Sequence, residues 1–202
     1  MFGDFGEHSE HWGEFSTVDS TVGGQSESKF NSGVGRMKLF SVEEYSEVFR
    51  ILEATKNVLQ DEQLHPEGDV YVHSLQTFIK AFRESWDIDL LLAALLHDVG
   101  KQISSHDHEQ HGEELLKDYV SVKTLWLIRN HMRVWYYLLG QMSALEKCKQ
   151  LAGHPWFGEL CQLARFDKIA RIVNWNPKIN QENIVQMLGK AAMNRWVGWE
   201  GW

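Results

Sequence analysis

From Ser41 onward the apolar residues recur at three- and four-residue intervals, the period of helices with one buried face. The stretch "SVEEYSEVFRILEATKNVLQ" opens with Ser41 and Glu44 in capping-box spacing and then follows that rhythm. Pro66 is expected to start a second helix running to about Arg83, with Tyr71, Leu75, Phe78 and Phe82 along one stripe. A third helix, from about Ile88 to Asp98, is apolar nearly all round and reads as the buried centre of the fold. A polar, histidine-rich link leads to a short helix at about Glu109–Asp118, and another runs from about Val122 to Leu139, stopping at Gly140. Further helices are expected at about 142–151, 157–174 and 181–193. No run alternates convincingly with period two, so the expected fold class is all-α.

The ends break this pattern. Residues 1–38 hold seven glycines, many serines and few aliphatics. Such a stretch buries too little surface to offset its ordering entropy, and it is expected to be a disordered or loosely attached tail. At the other end, "NRWVGWEGW" places Trp196, Trp199 and Trp202 in a segment, 196–202, that either covers the core or meets another chain, which keeps a homo-oligomer open. Between them, residues 39–195 are expected to form one domain with a single core, as suits a chain of 202 residues.

Composition narrows the setting. No apolar run is long enough for a membrane span, and no basic segment precedes a hydrophobic stretch as in a secretory signal. Two cysteines, Cys148 and Cys161, suit a reduced, cytoplasmic chain better than a disulfide framework. A net charge of −8 argues against binding extended nucleic acid, which needs a basic face. The unusual feature is the ten histidines, eight of which fall between His65 and His154.

Several of these carry candidate chemistry. The apolar segment "LLAALLHDVGK" ends in His97–Asp98, and a carboxylate drawn inside needs a cation or several donors. The C-terminal end of a helix cannot supply them, because it repels negative charge. His73 falls opposite the aromatic stripe of its helix, where a solvent-exposed imidazole is the plain alternative. Asp167 lies at the border of an apolar arc, where a surface pair with Arg171 at i+4 would also account for it. His131 lies beside the stripe Leu125/Ile128/Met132/Trp135 and reads equally as a hydrogen-bonded core histidine. In "SSHDHEQHGEELL", His106, His108 and His111 form either a polar helix start or metal ligands. Together they make four or five imidazoles and two carboxylates on separate helices, a donor set for one or two first-row transition ions, with Mg²⁺ or Mn²⁺ in a mixed site.

The order His73, His97–Asp98, Asp167 resembles the HD-domain superfamily of metal-dependent phosphohydrolases, whose signature runs His, His-Asp, Asp. The resemblance covers about residues 66–175. It extends to "HEQHGEELL", with His108 four residues before Gly112, and to "WLIRNHMRVW", with His131; these segments look most like HD domains attached to tRNA nucleotidyltransferases and small stand-alone HD hydrolases. It implies an HD-type helical bundle in which His73, His97, Asp98 and Asp167 hold one metal, while Asp98 bridges to a second bound by His108 and His131. His106 and His111 flank the expected ligand and are second choices for it. The implied cofactors are one or two divalent transition metals (Fe, Mn, Ni, Co or Zn), with Mg as a further option.

The implied activity is hydrolysis of a phosphomonoester or small phosphodiester, nucleotide-derived substrates included, by metal-activated water. Asp98 and Lys101 are the expected catalytic residues, and Lys101, Arg129, Arg133 and Arg165 the expected contacts to substrate oxygens. A second activity has the same ligand order. "HMRVWYYLL" and "HPWFGELCQLARFDKIAR" also look like the mixed-valent di-iron oxygenases of the superfamily, which use O₂ to cleave C–P or C–C bonds of organophosphonate or polyol substrates. The expected partner in either case is a small phosphorylated or phosphonate molecule.

Overall fold

The computed structural model describes the backbone of residues 41–197 and the side chains to Asn194. The tail 1–38 and the three tryptophan side chains of 196–202 lie outside the described residues. Within them the fold is all-α: eight helices and a short 3₁₀ turn, with one isolated antiparallel bridge between Leu59 and Asp69. None of the described helices is long and apolar enough to cross a membrane.

α1 (Ser46–Glu53) is shorter than its sequence rhythm predicts. Ser41 Oγ does accept the Glu44 amide, but that bond closes a turn rather than the first coil of the helix. Beyond Glu53 the chain leaves the helix: Thr55 turns its hydroxyl back to the Leu52 carbonyl, and Asn57 adopts a left-handed φ of 66° with its amide on Asp69. α2 (Val70–Phe82) starts four residues later than Pro66 would suggest. Gly68, at φ 80°, makes a turn that a helix cannot contain, and Asp69 caps the helix by accepting the Val72 amide.

α3 (Ile88–Leu96) is the centre. Asp87 caps it, and every residue from Leu90 to Leu96 is buried. Burying each leucine is worth about 1.5–3 kcal/mol, so a helix apolar on all sides holds its place only when wrapped. It is wrapped by α2, α5 (Val122–Leu138), α7 (Phe157–Ile169) and α8 (Gln181–Val197). After α3 the chain tightens into the 3₁₀ turn Val99–Gln102, which packs on α4 (His108–Leu116); α4 in turn lies along α5. α6 (Leu145–Ala152) follows at the periphery.

Because α2 touches both α3 and α7, its polar side is buried too, including His73, Ser74, Gln76 and Thr77. Gln76 uses that burial. Its amide donates to the carbonyls of Ile172 and Trp175, and its oxygen accepts the Ile172 amide at 3.1 Å, so the segment following α7 is tied to α2.

Candidate metal centre

Asp98 ends up almost fully buried between two sets of imidazoles. Its Oδ2 lies 3.4 Å from His97 Nε2, 4.0 Å from His73 Nε2 and 2.7 Å from Lys101 Nζ. Its Oδ1 lies 3.2 Å from His108 Nε2 and 3.6 Å from His131 Nε2. Asp167, from α7, completes the first set with Oδ1 at 3.1 Å from His73 Nε2. α2 and α7 therefore contribute His73 and Asp167, the junction between α3 and the 3₁₀ turn the His97–Asp98 pair, and α4 and α5 His108 and His131.

The outer nitrogens of three of the four imidazoles are hydrogen-bonded to oxygen, and that of His73 lies 2.7 Å from Glu67. His97, His108 and His131 each direct Nδ1 at the carbonyl three residues earlier, at 3.2, 3.0 and 2.7 Å. A carbonyl only accepts, so Nδ1 carries the proton and Nε2 keeps its lone pair in a neutral ring. Two consequences bear on whether a metal fits. His97 Nε2 is a buried nitrogen without a hydrogen-bond partner. His108 and His131 bring their Nε2 atoms to within 3.0 Å of each other, where two bare lone pairs repel unless positive charge lies between them. Imidazoles fixed from behind and carboxylates in front are what a divalent transition ion takes as ligands. The donor sets His73–His97–Asp98 and Asp98–His108–His131 are each compact enough to hold one ion.

Residues 70–172, half of the chain, match the HD domain family. The chain belongs to this family. Over 78 residues this HD domain is 36% identical to the multifunctional CCA protein of Hahella chejuensis (strain KCTC 2396), covering 35% of the chain and 18% of that protein. Over 76 residues it is 37% identical to the multifunctional CCA protein of Thioalkalivibrio sulfidiphilus (strain HL-EbGR7), covering 34% and 19%. The matched part thus spans less than a fifth of either relative. HD domains bind divalent metals, and this one has His/Asp groups that could hold a metal ion.

A cavity of about 410 Å³ opens onto the centre, within the size range of small-molecule sites. Asp98, Lys101, His108, His131 and Asp167 lie at its base; Leu64, Met132, Trp135 and Leu139 form an apolar wall; Lys168 and Arg171 add positive charge. Three of the arginines expected here are elsewhere. Arg165 is exposed and pairs with Glu84, Arg133 donates to Asn130 at 2.7 Å, and Arg129 lies 3.4 Å from Glu113. Each is two positions from a histidine or aspartate of the centre, and two positions on a helix are about 200° of rotation, so these side chains leave from the far side. Arg171, just beyond the end of α7, turns back to Asp167 and donates to both of its oxygens, at 3.0 and 3.3 Å. The surface pair considered from sequence is therefore made, but inside the site. His106 is largely exposed and pairs with Asp107, and His111 is half-buried off the cavity wall, which leaves His108 as the inward imidazole of that cluster.

Besides Lys168 and Arg171, sequence reasoning missed four members. Trp135 donates its indole N–H to Asp167 at 3.3 Å, Gln60 accepts from Lys101 at 2.6 Å, and His65 and Glu67 sit behind His73. The irregular loop supplying Gln60, His65 and Glu67 has no periodicity to read; Trp135, at i+4 from His131, was legible from helical spacing.

The charges follow from this packing. Burial works to raise the Asp98 carboxyl, but positive charge packed against it, including the Lys101 ammonium at 2.7 Å, outweighs burial and holds it well below the ordinary carboxylate range. Burial likewise opposes ionisation of Asp167, and the bond to His73 outweighs it and keeps this carboxyl far down. Burial drives His97 down to about 3, so it is neutral at physiological pH. Burial would lower His73 as well, yet its bonds to Asp167 and Glu67 raise it to about 9 in the metal-free chain.

These two histidines set opposite limbs of a stability profile. His73, raised above 6.5, contributes stability in full below that pH and loses it as pH rises through 9. His97, depressed below 6.5, contributes in full above that pH and loses it as pH falls toward 3. The chelator-treated chain is therefore expected to melt highest near pH 6.5, the value from which both histidines depart. A Tm that still climbs from neutral pH through pH 9 would contradict the His73 environment.

Proposed function

We propose that this chain hydrolyses a phosphomonoester or small phosphodiester, nucleotide-derived substrates included, with two divalent metals as cofactors. The observation that carries the reading is the division of Asp98, one oxygen toward His97 and His73 and the other toward His108 and His131. His73, His97, Asp98 and Asp167 would hold one ion, and Asp98, His108 and His131 the other. Such ions supply an acidified water as nucleophile and positive charge against phosphoryl oxygens.

The chain's own groups prepare the rest. Lys101, clamped between Asp98 and Gln60, keeps the Asp98 carboxylate ionised and oriented while adding positive charge at the base of the cavity. Trp135 and Arg171 fix Asp167 from two sides. Arg171 and Lys168 draw an anionic substrate to the mouth, and the Leu64/Met132/Trp135/Leu139 wall excludes water and accepts the organic part. Because Lys168 is exposed, Lys168→Ala is expected to raise KM by about two- to fivefold, the effect of a charge worth under about 1 kcal/mol, with metal content unchanged. A KM indifferent to this change and to salt would remove Lys168 from substrate attraction.

The same four imidazoles suit iron, so the di-iron oxygenase reading keeps a foothold in the donor set. The assays differ. Phosphate release from nucleoside monophosphates and small phosphodiesters with Mn²⁺, Co²⁺ or Ni²⁺ supports hydrolysis. Two irons per chain with O₂ consumption on an organophosphonate or polyol, and no phosphate release from esters, would replace it.

A further inference from the structure

Glu67 lies in the loop before α2, outside the HD signature, yet its side chain is only 1% exposed. A carboxylate so deeply buried is expensive unless its partners need it. One oxygen, Oε1, lies against two imidazoles at once: it hydrogen-bonds His65 Nδ1 at 3.0 Å and stands 2.7 Å from His73 Nδ1. The two rings meet edge to face with centroids 4.9 Å apart, and His65 lines the cavity. The loop is itself pinned, through Gln60 to Gly68 at 2.9 Å, Gly68 to His65 at 2.9 Å, and Val70 to Val58 at 3.0 Å along the backbone.

His73 differs from the other three imidazoles of the centre in a way that gives Glu67 its task. They direct Nδ1 at a carbonyl; His73 has Glu67 there instead. To ligate a metal His73 must give up one proton, and the neutral imidazole then carries a single N–H near which two carboxylates lie: Glu67 at Nδ1, 2.7 Å away, and Asp167 at Nε2, 3.1 Å away. If Asp167 takes the proton, Nε2 has no lone pair for a metal. If Glu67 takes it, Nε2 is free and aimed at the centre.

We propose that Glu67 is a positioning residue of the metal centre, its Oε1 fixing the Nδ1–H tautomer of His73 and, through the same oxygen, the orientation of His65 on the cavity wall. The proposal rests on His73 being a metal ligand. It assigns Glu67 no contact with substrate, and its effect is on metal affinity.

The test is a Co²⁺ titration, by calorimetry and visible absorption, of the full chain and of Glu67→Leu, Glu67→Gln and Asp98→Asn. Leu and Gln fill similar volumes, but only Gln keeps an oxygen that accepts from Nδ1–H. Glu67→Leu is expected to bind Co²⁺ about 10- to 100-fold more weakly, the usual effect of losing such an outer partner, and Glu67→Gln to stay closer to the parent. Parent-like binding by Glu67→Leu, or an equal loss in both variants, overturns the proposal. A parent chain that binds no Co²⁺, or an Asp98→Asn chain that binds it as tightly as the parent, overturns the metal centre itself and the proposal with it. Should Glu67→Leu fail to fold, nitrogen NMR of the Zn²⁺-loaded parent decides: His73 protonated at Nδ1 supports the assignment, and protonation at Nε2 overturns it.

Discussion

Asp98→Ala is expected to give a folded chain that retains neither metal and loses phosphate release by about 100- to 1,000-fold or more, the scale on which a group that stabilises transition-state charge is lost. Both halves of the centre depend on this one carboxylate, since His97 and His73 face Oδ2 while His108 and His131 face Oδ1. Removing either outlying histidine would disturb one half; removing Asp98 disturbs both. Asp98→Asn isolates charge from shape, because it keeps the volume and one acceptor while ending the negative charge that balances Lys101 at 2.7 Å. Elemental analysis and circular dichroism on the two variants give the answer. Two metals per chain and parent activity in Asp98→Ala would sink the bridging assignment and the function built on it.

Gly100→Ala is the second large effect, and it reaches the centre without touching a proposed ligand. A Cβ on Gly100 would stand 1.9 Å from the His108 carbonyl oxygen, 2.6 Å from the Gly112 amide nitrogen and 2.8 Å from the His108 carbonyl carbon. All three are backbone atoms of α4, so no side chain can swing aside, and the 3₁₀ turn must part from the helix. Overpacking of this kind costs about 1–3 kcal/mol or more, which in a domain of this size lowers Tm by roughly 5–10 °C. His108 is the first residue of α4 and moves with it. A displacement of about 1 Å at a reacting site costs on the order of 100-fold in rate. The variant is therefore expected to melt lower and to lose metal preferentially from the His108/His131 half. A variant with parent Tm and two metals would mean that the turn and α4 separate without cost.

Gly100 also illustrates how a residue can be legible while its reason is not. The sequence marks it as the stop after an apolar helix. In the fold α3 has already ended at Leu96, Gly100 lies inside the 3₁₀ turn, and its φ is not positive. What excludes a side chain is the approach of α4, a contact between segments that no local pattern encodes.

The helical rhythm, the all-round apolar α3 and the order of imidazoles and carboxylates are properties of the chain as written. They depend on neighbours three and four residues apart, and sequence alone determined them. Apolar periodicity reports which face apolar contacts will bury; it is silent about polar groups buried by polar partners. Lying opposite an aromatic stripe, His73 is open to either reading, exposed imidazole or ligand, and it is buried because α3 and α7 close over α2. The loop residues Gln60, His65 and Glu67 carry no period at all, and they enter the site only because backbone bonds fold that loop behind α2. Which arginine faces the cavity was decided by the fold: Arg165, at i−2 from Asp167, leaves from the far side of α7, while Arg171, just past the end of that helix, lines the cavity. Sequence thus set the helices and the donors, while tertiary structure decided which atoms of those donors meet, because that requires segments distant along the chain to be fixed against one another.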